Sequence, residues 1–192
     1  LFLFIIIILF KNIRWSEKNP KYRKIDTYNN HAIKLLHHLG IIKFNKKKGY
    51  EILSIIHKIF NQNNIFFWLS EGTALGFKRN NDFIDYDDDL DLGIWYHDKE
   101  KLLNCIPTLK SNGIYLSNVE LNGSFYSFIY KNEKIDLDLY SPNHKCAGIF
   151  FGSNCRDIIP YLKNFDQINI NDLVYNLPNN SYFEKIYGKN WK

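Results

Sequence analysis

The sequence predicts a mixed α/β (α+β) fold, a small mixed sheet flanked by helices in a single domain. Three observations carry this. Segments with apolar residues at helical spacing alternate with short runs that read as strands. The stretch from Phe66 to Tyr96 joins an apolar run, a Gly-Thr turn, a short amphipathic piece ending in Lys78 and Arg79, and an acid-dense lead into a second apolar run. The stretch Ser124 to Tyr140 reads as two strands about the turn Lys131-Asn132-Glu133. At 192 residues the chain is long enough for one domain with a proper core. Hydrophobic residues make up 45% and aromatics 17%, which argues against a disordered chain, and no recurring period signals a repeat.

The N-terminal run Leu1 to Phe10 is continuously apolar and is followed by Lys11 and Arg14. In a helix it would reach only about 15 Å, half of a bilayer core, so as written it does not span. The chain starts with leucine and contains no methionine. One expectation is therefore a truncated start, with residues 1–15 the tail of a longer signal-anchor; a signal-peptide remnant or an N-terminal strand is the equal alternative. As an anchor, the basic residues behind it would favour a cytoplasmic location for residues 16–192.

Trp15 to Thr27 reads as a polar, basic linker. Ala32, Leu35, Leu36 and Leu39 give Tyr28 to Leu39 a helical spacing that Gly40 ends. His37 and His38 on it have no partner in helical register and read as ordinary histidines. A stronger helix is expected over Tyr50 to Phe60, where Ile52, Ile55, Ile56, Ile59 and Phe60 form a stripe. Ile65 to Leu69 is long enough for a buried strand. Ser70, Gly72 and Thr73 supply a tight turn, and Ala74 to Arg79 opens as a helix whose first N–H groups point at any anion placed there.

Past the acids, Asp98 to Ser111 reads as a helix capped by Asp98 and closed at Gly113. Strands follow over Ile114 to Glu120, Ser124 to Tyr130 and Lys134 to Tyr140. In the last, Ile135, Leu137 and Leu139 share one face and Asp136, Asp138 and Tyr140 the other. Beyond Pro142 the signals weaken: Asp157 to Leu162, Ile168 to Ile170 and Leu173 to Leu177 read as short elements, and Tyr182 to Tyr187 as a closing helix stopped by Gly188.

The chemistry lies in the acid cluster. With Asp87 to Trp95 extended, Asp87, Asp89 and Asp91 project from one face. Three unpaired carboxylates would raise one another's pKa, and a hard divalent cation with oxygen ligands is the usual remedy. Two other readings stand beside it. One is a merely solvated acidic turn. The other is a calcium loop, for which Asp87, Asp89, Asp91 and Asp98 fall near the required positions, but Leu92 stands at the glycine position and a strand replaces the second helix. Asp136, on a neighbouring strand, invites the idea of a further ligand, against the alternative of an exposed edge-strand face.

The formal charge of +5 is spread in Lys-rich pieces such as Lys46 to Lys48. That shell suits a phosphate-bearing substrate and would equally suit solubility. Cys105, Cys146 and Cys155 include no C-x-x-C pair, so neither a zinc site nor a disulfide framework is indicated. A Cys146 to Cys155 bridge would need an oxidising compartment, and burial as small apolar groups is the simpler expectation.

These residues resemble a known family. Glu71-Gly72-Thr73-Ala74-Leu75-Gly76, Arg79, Ile84 and the run Asp87 to Gly93 are similar to the G-T-L-L-G, R, I-P-W-D-D-D-I-D signature of the LicD, fukutin and fukutin-related protein family. Lys134-Ile135-Asp136-Leu137 resembles its K-I-D strand. Leu177 to Asn180 and Phe183 to Gly188 are similar to its closing P-x-N and Y-G segment. The four pieces cover about Ile65 to Trp191. Glu71 and Asp85 depart from the family's Gly and Pro, and at this length an acceptor-binding domain of larger relatives is expected to be absent.

The resemblance implies a nucleotidyltransferase-like fold with carboxylates from two strands holding Mg2+ (or Mn2+). It implies transfer of a phospho-alcohol, such as phosphocholine or ribitol phosphate, from a CDP-activated donor to a glycan or glycoprotein hydroxyl. Carried over by position, Asp89 and Asp91 would be paired metal ligands and catalytic, with Asp87 assisting. Asp136 would be a ligand from the second strand or the base that takes the acceptor's proton. Gly72, Thr73 and Arg79 would hold the diphosphate. Donor and glycan, rather than nucleic acid, are the implied partners, and membrane association would run through the N-terminus. A fukutin-like chain would work at membranes of the endoplasmic reticulum or Golgi, against the cytoplasmic location read from Lys11 and Arg14. Two rivals remain open: a D-x-D glycosyltransferase using a nucleotide sugar and manganese, and an inactive relative serving as an interaction module.

Overall fold

In the computed structural model of the chain, residues 44–120, 123–141 and 158–192 are described. The expected helix over Tyr28 to Leu39, the histidines on it, the apolar run Leu1 to Phe10, Cys146 and Cys155 lie outside those residues. The described residues belong to one compact unit, Phe44–Lys192. In chain order they form α1 (Lys46–Gln62), β1 (Phe67–Leu69), α2 (Glu71–Asn80), β2 (Asp89–Trp95), α3 (Lys99–Ser111), β3 (Tyr115–Glu120), β4 (Phe125–Tyr130), β5 (Glu133–Tyr140), β6 (Phe165–Ile170), β7 (Leu173–Pro178) and α4 (Asn180–Tyr187). Among the described residues no helix is long and apolar enough to cross a membrane.

The strands make one mixed sheet in the order β3-β4-β5-β2-β1-β7-β6. β1 lies antiparallel to β2, while β2 runs parallel to β5 and β1 parallel to β7. The fold class is therefore the expected one. Several boundaries shift. α1 begins four residues ahead of the expected start at Tyr50, because Asn45 caps it by accepting from the Lys48 N–H at 3.1 Å. The weak signals past Pro142 resolve into a short 3-10 turn at Ile159–Tyr161 and a second hairpin, β6-β7. The β4-β5 and β6-β7 turns each carry two successive residues at positive φ, Lys131 and Asn132 in one and Asn171 and Asp172 in the other. That conformation matches the twist of the strands it joins.

The apolar residues of β1, β2 and β5 share one hydrophobic cluster with Ile52, Leu53, Ile56, Ile59 and Phe60 of α1 and Leu102, Cys105 and Leu109 of α3. Cys105 is buried and free, as a small apolar group. The opposite side of the central strands is different. Trp68 crosses β2 at Gly93, with its ring 5.1 Å from Trp95, 5.2 Å from Tyr140 and 5.1 Å from Phe165. A Cβ on Gly93 would overlap the Trp68 indole. In a packed interior the indole has nowhere to move.

Gly93→Ala is accordingly expected to cost about 1–3 kcal/mol. It should appear as a lower urea midpoint with an unchanged slope. An unaffected midpoint would show that the indole is not confined there.

Candidate active site

The acids are positioned by α2 and the segment that returns along it. Ser70 continues β1 by donating its N–H to the Asp91 carbonyl at 3.0 Å, and its own carbonyl accepts from the Ala74 N–H at 2.8 Å. The helix thus starts directly at Glu71, three residues before the expected start, and Gly72 and Thr73 lie in its first turn rather than in a separate bend. Glu71 takes φ 43°, a left-handed conformation that a glycine adopts more easily. Its carboxylate accepts from the Tyr182 hydroxyl at 3.1 Å.

Gly72 and Gly76, four residues apart, lie on one face of α2. A Cβ on Gly76 would meet the Asp82 carbonyl at 2.6 Å, and one on Gly72 would overlap the Asp87 carboxyl. The segment Asp82 to Asp87 therefore runs back up the helix in contact with it and delivers Asp87 to its N-terminal turn. α1 pins this segment: Lys46 Nζ lies 2.8 Å from Asp82 and 2.6 Å from Asp85, and the Tyr50 hydroxyl donates to Asp82 at 2.7 Å. Lys48 pairs with Glu133 at 2.6 Å. Two of the three lysines expected to form a diffuse basic shell are thus tied into the framework. Gly76 was legible only as a letter of the motif.

Asp87, Asp89 and Asp91 come together as expected, each offering an oxygen within 4.8 Å of the others. Burial, then repulsion from Asp89, pushes the Asp87 carboxyl up to about 7. Burial, followed by Asp89, Asp87, Asp136 and Glu71, holds Asp91 well above the usual carboxylate range. An all-oxygen donor set with this much uncompensated charge fits a hard divalent ion. Asp136 sits beside Asp91 across the parallel β2-β5 register. It accepts from Ser127 Oγ at 2.8 Å and from Lys134 Nζ at 2.5 Å, and burial raises its pKa despite Lys134. One step deeper, Asp138 pairs with Gly93 across the β2-β5 register; burial, then Glu71 and Asp136, keep its pKa well above the ordinary range.

The three residues expected at a diphosphate are not equivalent. Gly72 and Arg79 line one cavity of 390 Å³ together with Tyr86, Asp87, Tyr187 and Trp191. Thr73 is fully buried, and its hydroxyl accepts from the Asp91 N–H at 2.8 Å, tying α2 to the acid strand. Tyr187 went unmarked in the sequence beyond the closing Y-G pair. Its phenol lies in the field of Glu71, Asp91 and Asp87, and burial first, then those carboxylates, raise its pKa.

Fold and site together define a class: an α/β domain whose central strands present carboxylates able to hold a metal ion beside a helix N-terminus. The chain belongs to the LicD/FKTN/FKRP family, whose profile, described as the LicD/FKTN/FKRP nucleotidyltransferase domain, matches residues 64–180, more than half of it. It is 26% identical over 135 residues to the uncharacterized protein RT0683 of Rickettsia typhi, covering 70% of this chain and 35% of that one. It is 42% identical over 53 residues to human ribitol-5-phosphate transferase FKTN, covering 28% of this chain and 12% of that one. The chain thus spans about a third or less of these curated relatives. The solved structure of ANT(2")-Ia in complex with adenylyl-2"-tobramycin is similar at a TM-score of 0.48 and 13% identity, covering 69% of this chain and 70% of that one. Family membership supports a transferase.

The raised carboxyls make metal-free stability depend on pH. An unfolded Asp loses its proton near pH 4, whereas Asp87 keeps its own to about 7. Between those values the folded state binds more protons, so stability falls as pH rises. In chelator, the melting temperature should drop from pH 5 to pH 7.5, and Asp87→Asn should flatten the drop. A wild-type profile without a decline over that range would contradict the crowding.

Proposed function

We propose that the chain is a metal-dependent phosphotransferase that moves a phospho-alcohol, of phosphocholine or ribitol-phosphate type, from a CDP-activated donor to a glycan hydroxyl. The observation that carries this reading is the convergence of Asp87, Asp89 and Asp91 at the first turn of α2, in a chain of this family. The similarity to a ribitol-5-phosphate transferase adds support.

In this reading Asp87, Asp89 and Asp91 would hold a divalent cation, Mg2+ or Mn2+. When bound, the ion supplies positive charge to the donor's diphosphate. The chain's own residues do the rest. First-turn N–H groups at Gly72 and Thr73, with the Arg79 guanidinium on the same cavity wall as Gly72, orient the diphosphate. Thr73 contributes through its backbone, because its hydroxyl is engaged with Asp91. The acceptor oxygen bonds to the phosphorus that carries the alcohol, and the bond from that phosphorus to CMP breaks. Asp136, whose affinity for a proton is raised, takes the hydroxyl proton. CMP departs with the electron pair of the broken bond.

A panel of CDP-alcohols with Mg2+, read by CMP release and acceptor labelling, tests the reaction. Asp89→Ala and Asp91→Ala should each lower turnover by at least about 10²–10³-fold while the fold is retained. Full activity in either variant, or turnover of UDP- or GDP-sugars instead, would sink the assignment. Binding of the ion to the native chain should raise the melting temperature by about 5–10 °C at 100 times its Kd. The absence of any shift would favour an interaction module.

A further inference from the structure

Lys134 stands two residues before Asp136 on β5, and the parallel register sets it opposite Asp89. Its ammonium donates to Asp89 Oδ2 at 3.0 Å and to Asp136 Oδ2 at 2.5 Å. The other oxygen of Asp136 accepts from Ser127. Only 21% of the lysine side chain is exposed. Asp89 therefore belongs to two groupings. It is one corner of the Asp87, Asp89, Asp91 triad, and it is one end of an ammonium bridge to Asp136, which stands outside that triad among the described residues.

A carboxylate shared between two cations is the layout of a two-metal site. Here a side chain of the protein fills one of the two places. We propose that Lys134 is the second cation of the site: its ammonium, fixed between Asp89 and Asp136, takes the place of a second metal ion, so that the chain binds one divalent ion on Asp87, Asp89 and Asp91. The inference rests on the metal-site reading of the proposed function. The ammonium is a compact point charge with three donors, and two of its bonds are already satisfied where a second ion would need its ligands. A second divalent ion would have to displace it and then face its charge. Lys134 is a positioning residue, since it orients Asp136 and part of Asp89 without touching the reacting atoms.

The number of ions bound tests this directly. The full chain is titrated with Mn2+, and free Mn2+ is counted by its paramagnetic resonance signal. The wild type should bind one ion per chain, Lys134→Met two, and Lys134→Arg, which keeps the charge, one. Two ions on the wild type, or one on a folded Lys134→Met, overturns the proposal. Asp136→Asn gives a second route if Lys134→Met does not fold. This variant should still bind one Mn2+, and loss of that ion would make Asp136 a metal ligand and overturn the proposal as well. No ion on the wild type would defeat the metal-site reading itself, an outcome distinct from a count of two.

Discussion

Carboxylates crowded at the start of β2, on its neighbour β5 and on the segment that leads into β2 form the constraint on which this domain depends. Asp87, Asp91 and Asp136 sit where burial penalises charge, and the carboxylate of Asp89 raises the proton affinity of all three. A carboxylate pair is tolerable in water and costly in a low-dielectric interior. Nothing in core packing calls for such an arrangement. It is held because the rest of the structure over-determines it, which is how functional strain persists in folded proteins.

The means of holding it are spread over elements far apart in sequence. Thr73 ties α2 to Asp91, and Ser70 ties the end of β1 to the same residue. The return segment lies against Gly72 and Gly76 because neither has a side chain, and Lys46 and Tyr50 on α1 clamp its outer side. Ser127 and Lys134 fix Asp136 from the neighbouring strand and its own. Below the acids, Trp68 fills the space over Gly93 and packs at tilted angles against Trp95, Tyr140 and Phe165. That aromatic floor gives the acid strands a rigid base, and precision of this kind is what a metal site requires of its second layer.

Charge compensation in the site is divided between what the protein carries and what it must recruit. Lys134 serves Asp89 and Asp136, and burial raises the proton affinity of Asp138. Asp87 and Asp91 have no ion pair among the described residues, and Asp87 lines the cavity that Gly72 and Arg79 share. The division explains why a basic chain of this family carries so dense an acidic patch. Part of the positive charge around it is committed to framework pairs such as Lys46 with Asp82 and Lys48 with Glu133.

Alternation along β2 and β5 and the apolar stripe of α1 were legible from the order of residues alone, because side-chain direction in a strand or helix follows from local backbone geometry. So was the grouping of Asp87, Asp89 and Asp91, which needs only one extended segment. The start of α2 was misplaced because a single residue, Glu71, makes the turn at positive φ, and nothing in its chemistry announces that. Which strand neighbours β2, and therefore that Lys134 meets Asp89, was beyond local pattern. Strand order is decided by which apolar faces bury one another across the whole chain. The same holds for the place of Asp87 on α2, which depends on two missing side chains and a lysine from another helix. Local sequence thus determined which groups are available and which way they point; only tertiary packing, through its long-range burial of apolar surface, decided which of them share a charge.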